Sequence, residues 1–444
     1  MDALVPMVRP MALLAALACT APPALARDAA MPASPPEAAA APAPSGAITL
    51  RDAVAAALVR SPELAAFSAE VRAREAATLQ AGLLPNPVLR TDLEDFGGSG
   101  RRAAFHSAQT TISLAQLVEL GGKRAKRQRV ASLERDLAGW DYEARRATVL
   151  AEVTKAFVAT LAAQERLALA DELVRVAAAS VRTVGDQVAA GAVSPIERDR
   201  AEVALDRTRL ERVQIEHDVA AAKATLAATF GAERVTFTAV RGDLARVTAP
   251  APEAEFLARV DANPDLARWT TELEQRSAAI ELERARGIPD ITVGVGGRHF
   301  DEDDTSGAVV ELSIPLPIFD RNQGGVREAH ERLAKAKAER AAAEASVRGA
   351  LGRAYQEFHA AWDQVVSLRD RVIPRARAVF DGASDAYARG LYRWLEVLDA
   401  QRTLFAVRDQ YVQALATYHA ARVDVERLSG TPIAGEPTAE EARP

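Results

Sequence analysis

The sequence contains a single cysteine, Cys19, which excludes an internal disulfide and a cysteine-built metal site. Aromatic residues are scarce at 5% against 49% apolar residues overall, and Ala, Leu, Glu and Arg dominate long stretches; this is the balance of long packed helices rather than of a sheet-rich enzyme. Gly-x-Ser-x-Gly, a phosphate loop and His-Glu-x-x-His are all missing, so the sequence predicts no enzymatic activity and no cofactor. The six histidines are scattered without the spacing of a metal site. Lys and Arg (55) are outnumbered by Asp and Glu (61), with both signs interspersed, so no basic face invites nucleic acid. Beyond the first residues no run approaches the roughly 18 uncharged apolar positions a membrane-spanning helix needs. Access to a bilayer would have to come through strands.

What is present begins with an export signal. Arg9, the apolar run Met11–Ala18 and the small-x-small site Ala24-Leu25-Ala26 predict a signal peptide over 1–26. A rival cut after Ala18 would leave Cys19 as a lipidated first residue. An Ala/Pro-rich linker follows over 27–48.

The rest of the chain is written twice. Ser61-Pro62-Glu63-Leu64 returns as Asn263-Pro264-Asp265-Leu266, and Pro87 as Pro289, both 202 residues later. Ser113-Leu114 returns as Ser313-Ile314, and Gly191, Glu197, Ala201 and Leu205 return as Gly390, Glu396, Ala400 and Leu404. A nearly constant offset held from end to end indicates duplication of a whole structural unit, here 49–250 and 251–430, with 431–444 left as a flexible tail.

Each unit predicts the same order of elements: a helix (Leu50–Gly82, Glu253–Gly287), two strands, then two long helices. The first long helix, Lys123–Val184, would extend roughly 90 Å at 1.5 Å per residue, wider than any compact domain. Its partner is Ile196–Phe230; the second unit has Val326–Phe380, kinked or interrupted by Pro374, and then Trp394–Leu428. Leu404, Val407, Tyr411, Ala414, Tyr418, Ala421, Val425 and Leu428 alternate steps of three and four, the seam of a left-handed supercoil.

The strand segments, Val88–Phe96, Ser107–Val118, Ile291–Phe300 and Ala308–Ile318, alternate apolar and polar residues and match the 9–11 residues of a tilted membrane strand. Leu89 and Leu93 oppose Arg90, Asp92 and Glu94; Val310 and Leu312 oppose Val309 and Glu311. A half-buried soluble sheet shows the same alternation, but export and such long, narrow helices favour a membrane barrel. Four strands leave edges that hydrocarbon does not tolerate, so several chains must each contribute four, and three chains give twelve.

Several phrases resemble the TolC-like outer membrane efflux protein family over essentially the whole mature chain: Pro85-Asn86-Pro87 before the first strand, Glu94–Gly100 at the first hairpin, Leu120-Gly-Gly-Lys-Arg124 before the long helix, and Leu316–Asn322 at the equivalent second site. The hairpin and Gly-Gly-Lys-Arg phrases look most like the branch serving cobalt-zinc-cadmium efflux. The resemblance implies a mainly α fold with a small β part: a homotrimer with a twelve-stranded barrel in outer-membrane lipid and a coiled-coil α-barrel crossing the periplasm. It also implies docking to a periplasmic adaptor and an inner-membrane RND-type pump driven by protons, with heavy-metal cations as cargo. Drug efflux or type I secretion through the same fold is an alternative; a periplasmic coiled-coil adaptor is another, although an adaptor would show one helical hairpin rather than two.

The helices reverse at Ala190–Pro195 and at Arg389–Arg393, where Gly and Pro break the pattern. Just beyond, Glu396 and Asp399 lie three apart and hence on one helix face, where a trimer would set rings of carboxylates around the axis. The segment from Tyr387 to Ala400 resembles the family's periplasmic gate, which implies gate roles for Glu396, Asp399, Tyr387 and, by repeat equivalence, Glu197. Tyr392 stands where the family often has a gate-bridging Arg.

Overall fold

The computed structural model describes residues 44–432, and the expectations for the signal peptide, Cys19, most of the linker and most of the tail lie outside them. The linker itself ends earlier than 48, because Gly46–Thr49 forms a strand, β1. It pairs in parallel with β4, Phe237–Arg241, a pairing between distant parts of the chain that no local pattern announced.

The two expected entry helices are each divided at their repeated X-Pro step. Leu50–Arg60 (α1) ends at Ser61, whose hydroxyl accepts from the Leu64 N–H to start Pro62–Ala81 (α2). In the second unit Glu253–Leu257 (α5) is a separate turn, and Asn263 caps Pro264–Arg286 (α6) by accepting from the Asp265 N–H at 2.8 Å. Proline has no N–H to continue the preceding helix but suits the first turn of the next.

The long helices are Lys123–Ala189 (α3) and Pro195–Thr229 (α4) in the first unit. In the second they are Gln323–Ser367 (α7), Ile373–Ala388 (α8) and Trp394–Ser429 (α9). At 67 residues, α3 is about 100 Å long. Between α7 and α8 the five residues Leu368–Val372 form a π-helical turn. Pro374 sits just after it, so the expected helix is interrupted by a widened turn that accommodates the proline. Of the eight seam positions in α9, Val407 and Tyr411 are half-buried and the other six are buried.

A four-stranded antiparallel sheet has the order β2 (Val88–Glu94), β3 (Gln109–Val118), β5 (Ile291–Phe300), β6 (Thr305–Ser313). It joins the two repeats through the β3–β5 pair and leaves β2 and β6 as open edges. β6 stops earlier than expected because Pro315 and Pro317 cannot donate to a ladder. Register places Leu89, Leu114, Val295 and Val310 in one row across all four strands, and each is more than half exposed. The neighbouring Thr111, Ser113 and Ala115 on the other face are buried. This is an inside-out sheet: apolar side chains outward, polar side chains inward. Among the described residues no helix is long and apolar enough to cross a membrane.

Two cores are separated along the helices. The main one packs Val149–Ala162 of α3 against Leu351–Val365 of α7 and Ala414–Leu428 of α9, roofed by β1, β4 and Leu244. β4 and the strap following it are pinned there: the Gln164 amide both donates to and accepts from Val240 at 2.9 Å, and the Tyr418 hydroxyl donates to Thr248 O (2.7 Å) while accepting from its N–H. The second core, roughly 45 Å along α3 from the first, lies at the far tip around Val184, Tyr387 and Trp394.

Candidate functional site

Both hairpins turn at the tip through one glycine in the left-handed region, Gly191 (φ 69°) and Gly390 (φ 75°), where a side chain would be strained. The two turns are built alike. Gly191 and Ala192 donate to Val188 O and Gln187 O, and Gly390 and Leu391 donate to Tyr387 O and Ala386 O, all at 2.9–3.0 Å. This six-residue closure is the Schellman pattern, and its recurrence gives the sequence repeat a physical form.

Tyr387, last but one in α8, is buried and packs on Trp394, the first residue of α9, with ring centroids 5.6 Å apart. Glu197 lies in the first turn of α4, where a helix N-terminus favours an acid, and accepts from Arg200 at 3.0 Å through one oxygen. Its other oxygen, the Tyr387 hydroxyl and the Trp394 indole N–H are buried without a hydrogen-bond partner among the described residues. Burial first, and the Glu197 charge second, push the Tyr387 phenol above its ordinary value. The structure therefore brings Glu197, Tyr387 and Trp394 into one small core with Val184, Ala201 and Val397. Sequence reasoning named the first two and gave Trp394 no role; its large aromatic surface at the first position after a turn was the available signal.

Glu396 and Asp399 are not part of this cluster. Both are exposed, on the flank of α9 opposite buried Trp394, Val397 and Leu398. Among the described residues neither carboxylate has a hydrogen-bond or ion-pair partner in its own chain, although the Glu396 N–H donates to Arg393 O. Of the two arginines near Tyr392, Arg389 pairs with Asp385 at 2.6 Å on the same helix, whereas Arg393 is the N-cap residue of α9. Tyr392 is itself half exposed. Among the described residues no group of three or more His, Cys, Asp or Glu side chains could hold a metal ion.

Where strand becomes long helix, the Gly-Gly-Lys-Arg phrase makes a cross-repeat joint. Gly121 and Gly122 are both left-handed, and Lys123 Nζ donates to Ile288 O (2.6 Å) and Asp290 Oδ1 (2.7 Å). Asp290 also accepts from the Leu120 N–H at 2.9 Å. The sheet is thereby held to the head of α3 by partly buried, charge-assisted bonds.

An outward-apolar sheet on a pair of helical hairpins is the architecture of a channel protomer. Comparison with known proteins agrees. The outer membrane efflux protein family model matches residues 53–232 and 260–431, one match per repeat. The cobalt-zinc-cadmium resistance protein CzcC of Cupriavidus metallidurans is 33% identical over 87% of this chain and 91% of its own length. The nickel and cobalt resistance protein CnrC of the same organism is 31% identical over 63% and 66% respectively. Among solved structures, CusC superposes with a TM-score of 0.72 at 17% identity, over 86% of this chain and 92% of its own. The outer membrane protein VceC of Vibrio cholerae gives 0.70 at 16%, over 86% and 96%. The chain belongs to the outer membrane efflux protein family, with its helical tunnel on the periplasmic side of the outer membrane.

Proposed function

We propose that three copies of this chain form a passive exit duct for heavy-metal cations, fed by a periplasmic adaptor and a proton-driven inner-membrane pump of the RND type. Closing β6 of each copy onto β2 of the next gives twelve strands with no free edge, the condition a sheet must meet in hydrocarbon. The observation that carries this reading is the pair of open edges on a sheet whose exposed face is apolar. The metal cargo is supported by the similarity to CzcC and CnrC, whose names are those of metal resistance proteins.

Glu396 and Asp399 form the gate's cation-facing acids: six carboxylates per trimer concentrate divalent cations at a constriction. Tyr387 and Glu197 hold the two turns of one chain together behind them, with Trp394 as the packing element. Deleting the gene and measuring growth in zinc, cadmium, cobalt, copper and organic drugs tests the proposal. Lost metal tolerance, restored by the plasmid-borne gene, is expected; drug sensitivity with unchanged metal tolerance overturns the cargo assignment.

A further inference from the structure

The polar face of the four-stranded sheet carries two kinds of ion pair. Arg298 on β5 stays local: it donates to Thr111 (2.8 Å) and Gln109 (3.2 Å) on β3 and lies 3.4 Å from Glu94 on β2. Arg90 does something else. Its guanidinium meets Glu311 at 2.7 Å, joining β2 directly to β6, the two edges of the sheet, across both strands between them.

Three strand spacings amount to about 14 Å in a flat sheet. Extended Arg and Glu side chains together with the bond between them cover that span, and the Glu311 carboxylate lies over Gly294. A Cβ on Gly296 would stand 2.4 Å from Ile112 O, and one on Gly294 would stand 3.2 Å from the Glu311 Cβ. Arg90 and Glu311 each lie two residues in from the helix-side end of their strand, Val88 and Ser313. Setting those two ends level where β6 of one copy meets β2 of the next places the same two side chains about one strand spacing (5 Å) apart.

We propose that Arg90 and Glu311 are an intersubunit pair in the assembled duct, and that the bond within one chain is the unassembled form of the same contact. This rests on the trimeric reading above. The partner is a second copy of this chain, selected by charge: β2 carries the cation and β6 the anion. A β2–β2 or β6–β6 pairing would oppose like charges, whereas head-to-tail pairing satisfies every edge.

The test has two arms. The first is the full-length double variant Arg90→Cys, Glu311→Cys, treated in membranes with oxidant or a short bis-maleimide; Arg90→Cys alone controls for Cys19. Bands at two and three chain masses on a non-reducing gel are expected; a single-chain band under both treatments overturns the proposal. The second co-expresses differently tagged wild type and the swap Arg90→Glu, Glu311→Arg. Chance assembly of equal amounts makes about three in four trimers mixed. Cross-seam pairing sets Glu against Glu and Arg against Arg in mixed trimers, so their yield is expected to fall at least about tenfold. Mixing at the chance level refutes it. Two wild-type tags that fail to co-purify point instead to failure of the trimeric reading itself.

Discussion

Replacing Trp394 by Ala isolates the tip from the rest of the molecule. Trp394 is 5% exposed in a core with nine buried members among the described residues, so few neighbours can collapse into the space it leaves. Truncating a buried Trp costs about 3–5 kcal/mol, including the loss of its ring contact with Tyr387. Applied to local opening of the tip, that is a rise of at least about a hundredfold in the open population. The main core shares no buried residue with the tip core, so the loss stays local. Hydrogen exchange read by mass spectrometry on the trimer in detergent measures both regions. Peptides covering 381–400 are expected to lose at least about a hundredfold in protection while those covering 149–163 are unchanged. Leu351→Ala, buried in the main core, is expected to do the reverse. Equal losses in both regions, or an unaltered tip, would refute the separation of cores on which the gate account depends.

Other perturbations act elsewhere along the chain. Lys123→Ala removes two charge-assisted bonds at the joint between sheet and α3 and is expected to cost about 2 kcal/mol, read as a lower melting temperature of the assembled protein. Tyr418→Phe orphans Thr248 O and its N–H and is expected to cost about 1–3 kcal/mol, appearing as faster proteolysis of the 242–252 strap. His419 is held below its ordinary value of 6.5, chiefly by burial and against a backbone bond to Leu244 O. A base whose value is depressed in the fold contributes stability that is fully present above 6.5 and is lost as pH falls from there through the lower folded-state value, so the melting temperature is expected to drop on acidification; His419→Gln should flatten that part of the profile.

Much of this architecture could be read from residues because it is periodic. Heptad steps in α9, alternation in β3 and the paired Gly-containing turns are local signals that repeat, and the repetition itself checked each reading. Ser61-Pro62 and Asn263-Pro264 were visible as repeat markers, yet the helix break they impose went unread because the flanking apolar pattern continues across it. The β1–β4 pair could not be anticipated: two strands of four and five residues carry little pattern, and what stabilises them is burial of Ile48, Phe237 and Val240 against distant helices. At the tip, repeat equivalence located Glu197 but said nothing of its neighbourhood. Its approach to Tyr387 depends on how the first turn of α4 settles beside the end of α8 in the tip core, which only packing decides. Glu396 and Asp399, by contrast, share one face as their three-residue spacing indicated, and that face lies exposed opposite the buried stripe of α9.

Single-channel recording in planar bilayers tests the central claim most directly, because it asks one purified protein for both the duct and its acidic gate. The account requires discrete cation-selective conductance that divalent cations block from one side, with the block weakened at least about tenfold in Glu396→Gln, Asp399→Asn. Absence of discrete channels, or a block identical in wild type and variant, would contradict it.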